Sequence, residues 1–321
     1  MQRRLLIACA AAAACGHALP ALAQERWPAR TVKFVCNFPP AGPLDLLARS
    51  VADVLQRELK QPFVVENKAG AAGNIGADAV AKSAPDGHTV LFTIDSTSTV
   101  SPHIYKTMPF KPADLQAVVI MTSSGLLVGV HPSTGFKTLG ELVSAGKAKG
   151  ATFSSAGNGS PGHLAAAVAT EATGMRITHV PYKGNAPAVQ AILSGEVTGG
   201  VLATPGMLPH VSAGKLTALA VTSSKRSTLA PDVPTVREAG LPQLEQEVLY
   251  QAMVPAGTPA PVVQAIQKAI LDALARPDPR SRLGTLDMHY EGTAGDAAAR
   301  RLADLSDRYE KVIRATGMKV E

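Results

Sequence analysis

The sequence predicts an α/β protein of two lobes joined by two connections, with a ligand cleft between them. Three observations carry this expectation. Apolar, strand-like runs alternate with amphipathic helical ones; the alternation restarts after residue 130; and the apolar runs at 115–130 and 216–254 are placed to cross between two units. With 321 residues, 46% hydrophobic and 17% charged, the chain has enough apolar material for a large core and enough length for two domains. Aromatics make up only 4%, while 28 Gly and 24 Pro predict short elements joined by tight turns.

The first 23 residues read as an export signal. Arg3 and Arg4 form a basic start, Leu5 to Ala14 an apolar core, and Ala21-Leu22-Ala23 a small-x-small cleavage site before Gln24. The apolar run falls short of the ~20 residues a spanning helix needs. Cys15 offers a rival reading as a lipid-modified N-terminus, but the Ala12-Ala13-Ala14 before it matches that pattern poorly. A periplasmic protein released by cleavage is therefore expected. Without residues 1–23 there remain 29 basic and 25 acidic residues, a formal charge of +4, and a single cysteine, Cys36. No intrachain disulfide can then form, and Cys36, inside the apolar run VKFVCNF, is expected to be a small buried hydrophobe. The basic residues are dispersed and not interleaved with aromatics, which gives no support to a nucleic-acid partner.

Along the remaining chain the first strand is TVKFVCNF (31–38), followed by the loop PPAGPL and a helix beginning at Asp45, with Leu47, Val51, Val54, Leu55 and Leu59 on one face. Asp45 is read as the N-cap of that helix. Strand PFVVEN, a glycine-rich turn, a helix around GNIGADAVAKSA, the turn PDG and strand HTVLFTI complete a unit expected to form a parallel sheet. The strand-like run LQAVVIMTSSGLLVGV (115–130) leads into the second unit. That unit contains helix TLGELVSAGKAKG, strand ATFSSAG, helix HLAAAVATEATG, strand THVPYKG, helix APAVQAILSG and strand VTGGVLAT. Strand LTALAVTSS, the Pro-rich PDVPTVREAGLP, strand EVLYQAMVP, helix APVVQAIQKAILDALA, strand MHYEG and a terminal helix finish the chain. In the last helix Leu302, Leu305, Tyr309 and Val312 form an apolar stripe, and Asp304 and Arg308 are spaced for an i,i+4 pair. The first lobe is expected to comprise 24–122 and 248–321, and the second 123–247.

Three loops recur between a strand and the next helix: PPAGPLD (39–45), SAGNGSPGH (155–163) and PYKGNAPA (181–188). Open α/β sheets bind ligands at that edge, because the first turn of a helix presents unpaired N–H groups and positive partial charge. Such a site suits carboxylate or phosphate and needs no Lys or Arg. Gly157-x-Gly159-x-x-Gly162 matches the bare dinucleotide pattern, but the next strand, THVPYKG, lacks the acid that would hold a ribose. Glu171 lies in the intervening helix and the following acid is Glu196, so no nucleotide cofactor is expected. Glycines serving only a tight turn remain the plainer reading. Ser160 and His163 keep a Ser/His hydrolase open as the rival from another class, although Ser160 is also a good N-cap and the Gly-x-Ser-x-Gly signature is absent. His103, His131, His179 and His210 lack ligand spacing, so no metal is expected.

Several long motifs in order now point further. FPPAG-x-x-D-x-x-AR (38–49), VVENKAGAAGNIGADAVAKSAPDGHT (64–89), SAGNGSPGHLAA (155–166), HVPYKGNAPA (179–188), GKLTALAVTSSKR (214–226), PDVPTVREAG (231–240) and PAGTPAPVV (255–263) together resemble the Bug receptors. These are solute-binding proteins related to the receptor of tripartite tricarboxylate transporters, and the resemblance covers nearly all of the chain after residue 23. It implies a type II, flytrap-like periplasmic binding fold that closes on a small organic carboxylate, without enzymatic activity or cofactor. The partners it implies are the membrane subunits of such a transporter, or a membrane sensor in a receptor that has lost its transporter; a monomer is expected.

Carried over by position, the resemblance places Phe38, Ala41, Gly42 and Asp45 on the first-lobe side, with Ser96 and Thr97 from the loop after HTVLFTI. Ser155, Asn158, Gly159, Ser160 and His163 fall on the second-lobe side, beside Lys183 and Gly184. The chain departs from the family in three places: Ala41 replaces a common Gly, Leu44 a common Thr, and Leu202 an acid that relatives often carry. If that acid receives a ligand ammonium, an amino-acid ligand is disfavoured here. Asp95, where small or hydroxyl residues are common, is expected to supply polarity from the other lobe.

Overall fold

The computed structural model describes residues 27–320. The export segment at 1–23 and the rival lipid site at Cys15 lie outside the described residues. No helix among the described residues is long and apolar enough to cross a membrane.

The first sheet forms where buried apolar strands alternate with helices. Its elements are β1 (Val32–Cys36), α1 (Pro43–Leu59), β2 (Phe63–Asn67), α2 (Asn74–Ala81) and β3 (Thr89–Ile94), then the one-turn helices α3 (Ser96–Thr99) and α4 (Ser101–Ile104), and β4 (Leu115–Ser124). The second sheet is built from β5 (Leu126–Val130), α5 (Leu139–Lys149), β6 (Ala151–Ser155), α6 (Pro161–Thr173), β7 (Ile177–Pro181), α7 (Asn185–Leu193), β8 (Gly199–Ala203), α8 (Thr204–Ser212) and β9 (Thr217–Val221). The chain then returns through β10 (Val248–Pro255), α9 (Ala260–Leu274), α10 (Pro277–Thr285), β11 (His289–Ala294) and α11 (Gly295–Thr316). Strand order is β11-β4-β10-β3-β1-β2 in one sheet and β7-β6-β8-β5-β9 in the other.

Both sheets are mixed, and the parallel set expected from the first alternation, β2-β1-β3, forms one part of the first of them. Strands β2, β1 and β3 are parallel, as are β7, β6 and β8, but β10 runs antiparallel to β3 and β4, and β5 antiparallel to β8 and β9. The chain that leaves a lobe and the chain that returns to it travel in opposite directions, so the crossing strands cannot extend the parallel set. The run at 115–130 divides at Gly125 into β4 and β5, one in each sheet. A Cβ at Gly125 would come within 2.4 Å of Ser223 Oγ and 3.0 Å of the Ser223 nitrogen, so the outgoing backbone lies directly against the returning chain. Thr222 ties them: its Oγ1 accepts the Leu126 N–H (2.9 Å) and donates to the Gln246 carbonyl (2.7 Å).

The helices follow their sequence signals with instructive exceptions. Helix α1 buries Leu44, Leu47, Val51, Val54 and Leu55, but Leu59, expected on that face, is exposed at the frayed end. The helix starts at Pro43 with Gly42 as N-cap, so Asp45 is its third residue and not the cap. Helix α5 has a full capping box between Thr138 and Glu141, and α6 has the expected cap, the Ser160 hydroxyl accepting the His163 N–H. In α11 Leu302, Tyr309 and Val312 are buried and Leu305 half-buried; Arg308 donates to the Glu245 carbonyl (3.0 Å) in place of the expected pair with Asp304. Cys36 is fully buried, and burial pushes its thiol up to about 12.

Candidate ligand-binding site

The C-terminal ends of β1, β2, β6 and β7 each lead through a short loop toward a helix, whereas β3 and β8 pass almost directly into one. Those junctions, the strand end, the loop and the first helical turn, contain the residues singled out from the sequence, and the lobes meet where two of them approach. A Cβ on Gly159 would lie 2.8 Å from Ile104 Cδ1 and 3.4 Å from Ala72 Cβ, so the second-lobe loop rests on the end of α4 and the glycine-rich turn of the first lobe.

On the first-lobe side Asp45 organises the loop. Its Oδ2 accepts the Ala41 N–H (3.0 Å) and the Arg49 Nε (3.0 Å), and its Oδ1 accepts Asn67 Nδ2 (2.9 Å) with Arg49 Nη2 at 3.0 Å. Burial alone would raise its pKa. The Arg49 guanidinium, the Ala41 N–H and the Asn67 amide outweigh that effect and hold the carboxyl below the ordinary carboxylate value. Asp45 is buried and fully bonded, so it shapes the loop and has no free oxygen for a ligand. Ala41 is exposed and held at a left-handed φ of 62°, a conformation suited to glycine. Phe38 packs half-buried against the core, and its carbonyl accepts Asn67 Nδ2 at 3.2 Å.

Ser96 and Thr97 lie in the first turn of α3 and not in a loop, and both are buried. Thr97 Oγ1 accepts from Asn37 Nδ2 (3.1 Å) and Thr93 Oγ1 (2.9 Å), so its oxygen braces the first lobe internally. Asn37 Nδ2 also reaches the Gly73 carbonyl at 3.0 Å, and a Cβ at Gly73 would strike that nitrogen at 2.4 Å. Asp95, expected to face a ligand, is instead turned into the first lobe, where its Oδ1 accepts the Leu249 N–H at 2.9 Å.

On the second-lobe side two imidazoles organise the loop. His163 Nδ1 accepts the Gly159 N–H (3.2 Å), which assigns its proton to Nε2. His179 Nε2 meets Ser155 Oγ at 2.6 Å, and Ser155 Oγ accepts the Gly157 N–H at 3.1 Å. The two rings stack with centroids 3.7 Å apart and an interplanar angle of 6°. Burial lowers the pKa of both to about 4, helped at His163 by its neighbour, so both are neutral at pH 7 and free to accept. Ser160 caps α6 through the backbone N–H of His163, and the His163 ring is committed to Gly159. The pairing a Ser160/His163 hydrolase requires is therefore not made.

The structure thus draws Ser155, Gly159, Ser160 and His163 into one cluster, with Gly184 joined to it by its N–H to the Ala156 carbonyl (3.3 Å). Gly42 caps α1, and Gly184, at φ 108°, caps α7. Asn158 and Lys183 are exposed, and their side chains form no hydrogen bond or ion pair with other described residues. Sequence reasoning missed His179, Asn37 and Asn67, which support predicted residues across long sequence separations, and Thr93 and Arg49, which support Thr97 and Asp45 from four residues away. Asn37 and Thr93, polar positions within or just after otherwise apolar strands, carried a usable signal. No group of three or more His, Cys, Asp or Glu among the described residues is placed to hold a metal ion.

Comparison with known proteins adds to this geometry. The family model described as the tripartite tricarboxylate transporter family receptor matches residues 47–318. The protein BugT of Bordetella pertussis is 35% identical over 322 residues, covering 96% of each chain. Among solved structures, Rpa4515 of R. palustris with adipate superposes with a TM-score of 0.82 at 30% identity, covering 91% of this chain and 99% of that one. MatC (Rpa3494) of Rhodopseudomonas palustris with bound malate gives a TM-score of 0.79 at 30% identity, over 89% of this chain and 100% of the other.

Proposed function

Because the chain belongs to the tripartite tricarboxylate transporter receptor family, a family of non-enzymatic receptors, we propose that it captures a small organic carboxylate between its lobes and delivers it to the membrane subunits of such a transporter. The observation that supports this reading best is that loops 38–45 and 155–163 each join a parallel strand to a helix N-terminus in their own sheet, the second of them touching the first lobe at Ile104 and Ala72. Relatives whose structures hold adipate and malate support a carboxylate as ligand. We assign 24–122 and 248–321 to one lobe and 123–247 to the other, with residues 1–23 exporting the chain to the periplasm. A membrane sensor is the alternative recipient, and the receptor acts as a monomer.

In this reading the ligand stabilises the closed state because only there do both loops reach it. Carboxylate oxygens face the N-terminal turns of α1 and α6, with Phe38, Gly42, Asn158, Ser160, Lys183 and Gly184 around them. Asp45, His163 and Ser155 hold the loop backbones in shape. Leu202, where relatives often carry an acid, is buried in the apolar core of the second lobe, so that lobe offers no carboxylate there for an ammonium group. A carboxylate without an amino group is the preferred ligand class. Thermal melting against mono-, di- and tricarboxylates and amino acids tests this. A ligand at 100 times its Kd adds ~2.7 kcal/mol, a shift of several degrees. Absence of a shift with every carboxylate, or ester turnover abolished by Ser160→Ala, overturns the reading.

A further inference from the structure

Asp95 lies at a junction of three elements: it follows β3, precedes α3, and sits opposite the second residue of β10, the strand that returns from the other lobe. Its backbone N–H donates to the Leu249 carbonyl and its Oδ1 accepts the Leu249 N–H, both at 2.9 Å, so one residue closes both sides of Leu249. The Asp95 carbonyl also collects the N–H groups of Ser98 and Thr99 (both 2.9 Å) and their hydroxyls at 3.1 and 2.9 Å. A second tie, from Gln251 Nε2 to Ser98 Oγ (3.3 Å), fastens the same turn to the same strand. Leu249 pairs in turn with Ser123, two residues before the outgoing chain leaves the sheet at Gly125. The turn bearing Ser96 and Thr97 and the two lobe crossings are thus joined at one residue, with the Asp95 side chain supplying one bond of the junction.

Resting on the receptor reading above, we propose that Asp95 is a positioning residue for ligand capture, clamping Leu249 at the returning crossover and setting the α3 turn against it. The clamp has a consequence in pH. Burial pushes the Asp95 carboxyl up to about 7, opposed by the Leu249 N–H and by Arg301 of α11. The other ionisable groups that act on it are Tyr250 of β10 and Tyr309 of α11, both neutral phenols held up by burial, while Arg301 is itself paired with Glu247 and Glu291 at 3.5 and 2.6 Å. Ionising Asp95 sets a negative charge beneath the turn of Ser96 and Thr97, so anion capture and ionisation oppose each other. By linkage, affinity for a carboxylate falls as pH rises through about 7. The loop imidazoles, with pKa values near 4, do not titrate in that window.

Calorimetric titration with adipate and with malate between pH 6 and pH 8, together with amide exchange at Leu249, Ser98 and Thr99, tests the clamp in wild type, Asp95→Asn and Asp95→Ala. A ligand that raises the Asp95 pKa by one unit weakens its own binding about tenfold across the titration. Wild type is expected to show that loss. Asp95→Asn should bind with a flat profile and keep the Leu249 amide protected, and Asp95→Ala should lose that protection. A wild-type pH profile retained by Asp95→Asn overturns the proposal, as does Leu249 exchange in Asp95→Ala as slow as in wild type. If neither acid binds at any pH, the receptor reading fails for these ligands, and the exchange rates alone decide whether the clamp exists.

Discussion

The two jaws solve one problem with different chemistry. In each, a proline occupies the first position of a helix, and the side chain two residues further on reaches back to the N–H of the residue before the cap. Asp45 takes the Ala41 N–H at 3.0 Å; His163 takes the Gly159 N–H at 3.2 Å. Both bonds tie the residue before the cap back to the first turn of its helix. The acceptor in the first lobe is a charged carboxylate neutralised by Arg49, whereas the acceptor in the second is a neutral imidazole stacked on another. One jaw is therefore held by an ion pair and the other by a protonation state. That difference predicts how each fails.

The largest effect is expected at the charged jaw. Asp45→Ala removes the acceptor of four donor contacts and leaves the Arg49 guanidinium without its carboxylate, a change worth about 3 kcal/mol after allowing for the half-exposed arginine. His163→Ala removes one neutral hydrogen bond and a ring contact, for about 1 kcal/mol. Urea unfolding of the two variants measures both. Equal losses would show that the charge carries nothing beyond its hydrogen bonds and would erase the distinction between the jaws.

Acid should open the neutral jaw first. Both imidazoles have folded-state pKa values near 4, below the ordinary 6.5, so the unfolded chain binds more protons as pH falls and stability drops between those values. From pH 6.5 to pH 5 the unfolded imidazoles take up protons that the folded rings do not, and nearer pH 4 protonation of His163 at Nδ1 also breaks the bond to Gly159. Asp45 is lowered from 3.8, so its contribution persists through that interval and is lost only at lower pH. The double variant His163→Gln, His179→Gln should flatten the decline in unfolding free energy between pH 6.5 and 5. An unchanged slope would assign it to other groups.

The sequence revealed the jaws more readily than their supports. Strand, loop and helix recur in order because buried runs and Gly/Pro punctuation are local signals, and the Ser160 cap was readable for the same reason. Asp45 was misplaced as the cap because Pro43, a good first residue, starts the helix two positions earlier. Helices α8 and α10 escaped notice because Pro205, Pro209, Pro277 and Pro279 resemble breakers; Pro205, Pro277 and Pro279 lie in a first turn, where proline is tolerated, and Pro209 lies inside α8. The partners of Ser155 and Asp95 are His179 and Leu249, 24 and 154 residues away, and no periodicity reports such pairings. The antiparallel crossings were hidden likewise, since strand direction depends on the return path and not on composition.

The smallest effects concern the residues whose N–H groups are held. Ala41 and Gly159 occupy equivalent positions, and both are left-handed, at φ 62° and 77°. An alanine in that region carries a strain of roughly 1–2 kcal/mol, whereas a glycine carries none but makes the unfolded chain more flexible by roughly 0.4–1 kcal/mol. Ala41→Gly is thus expected to stabilise the protein by about 0.5 kcal/mol. Gly159→Ala should do the reverse, and its new Cβ would also stand 2.8 Å from Ile104 Cδ1, where the lobes touch. Because that atom is the tip of a flexible side chain, it can move, and the loss should stay near 1 kcal/mol while ligand capture weakens with the displaced contact. Urea midpoints of opposite sign would show that the jaws share one backbone geometry despite their different acceptors. Destabilisation by both changes would mean that the Ala41 loop draws its shape from the Asp45 clasp alone and gains nothing from glycine.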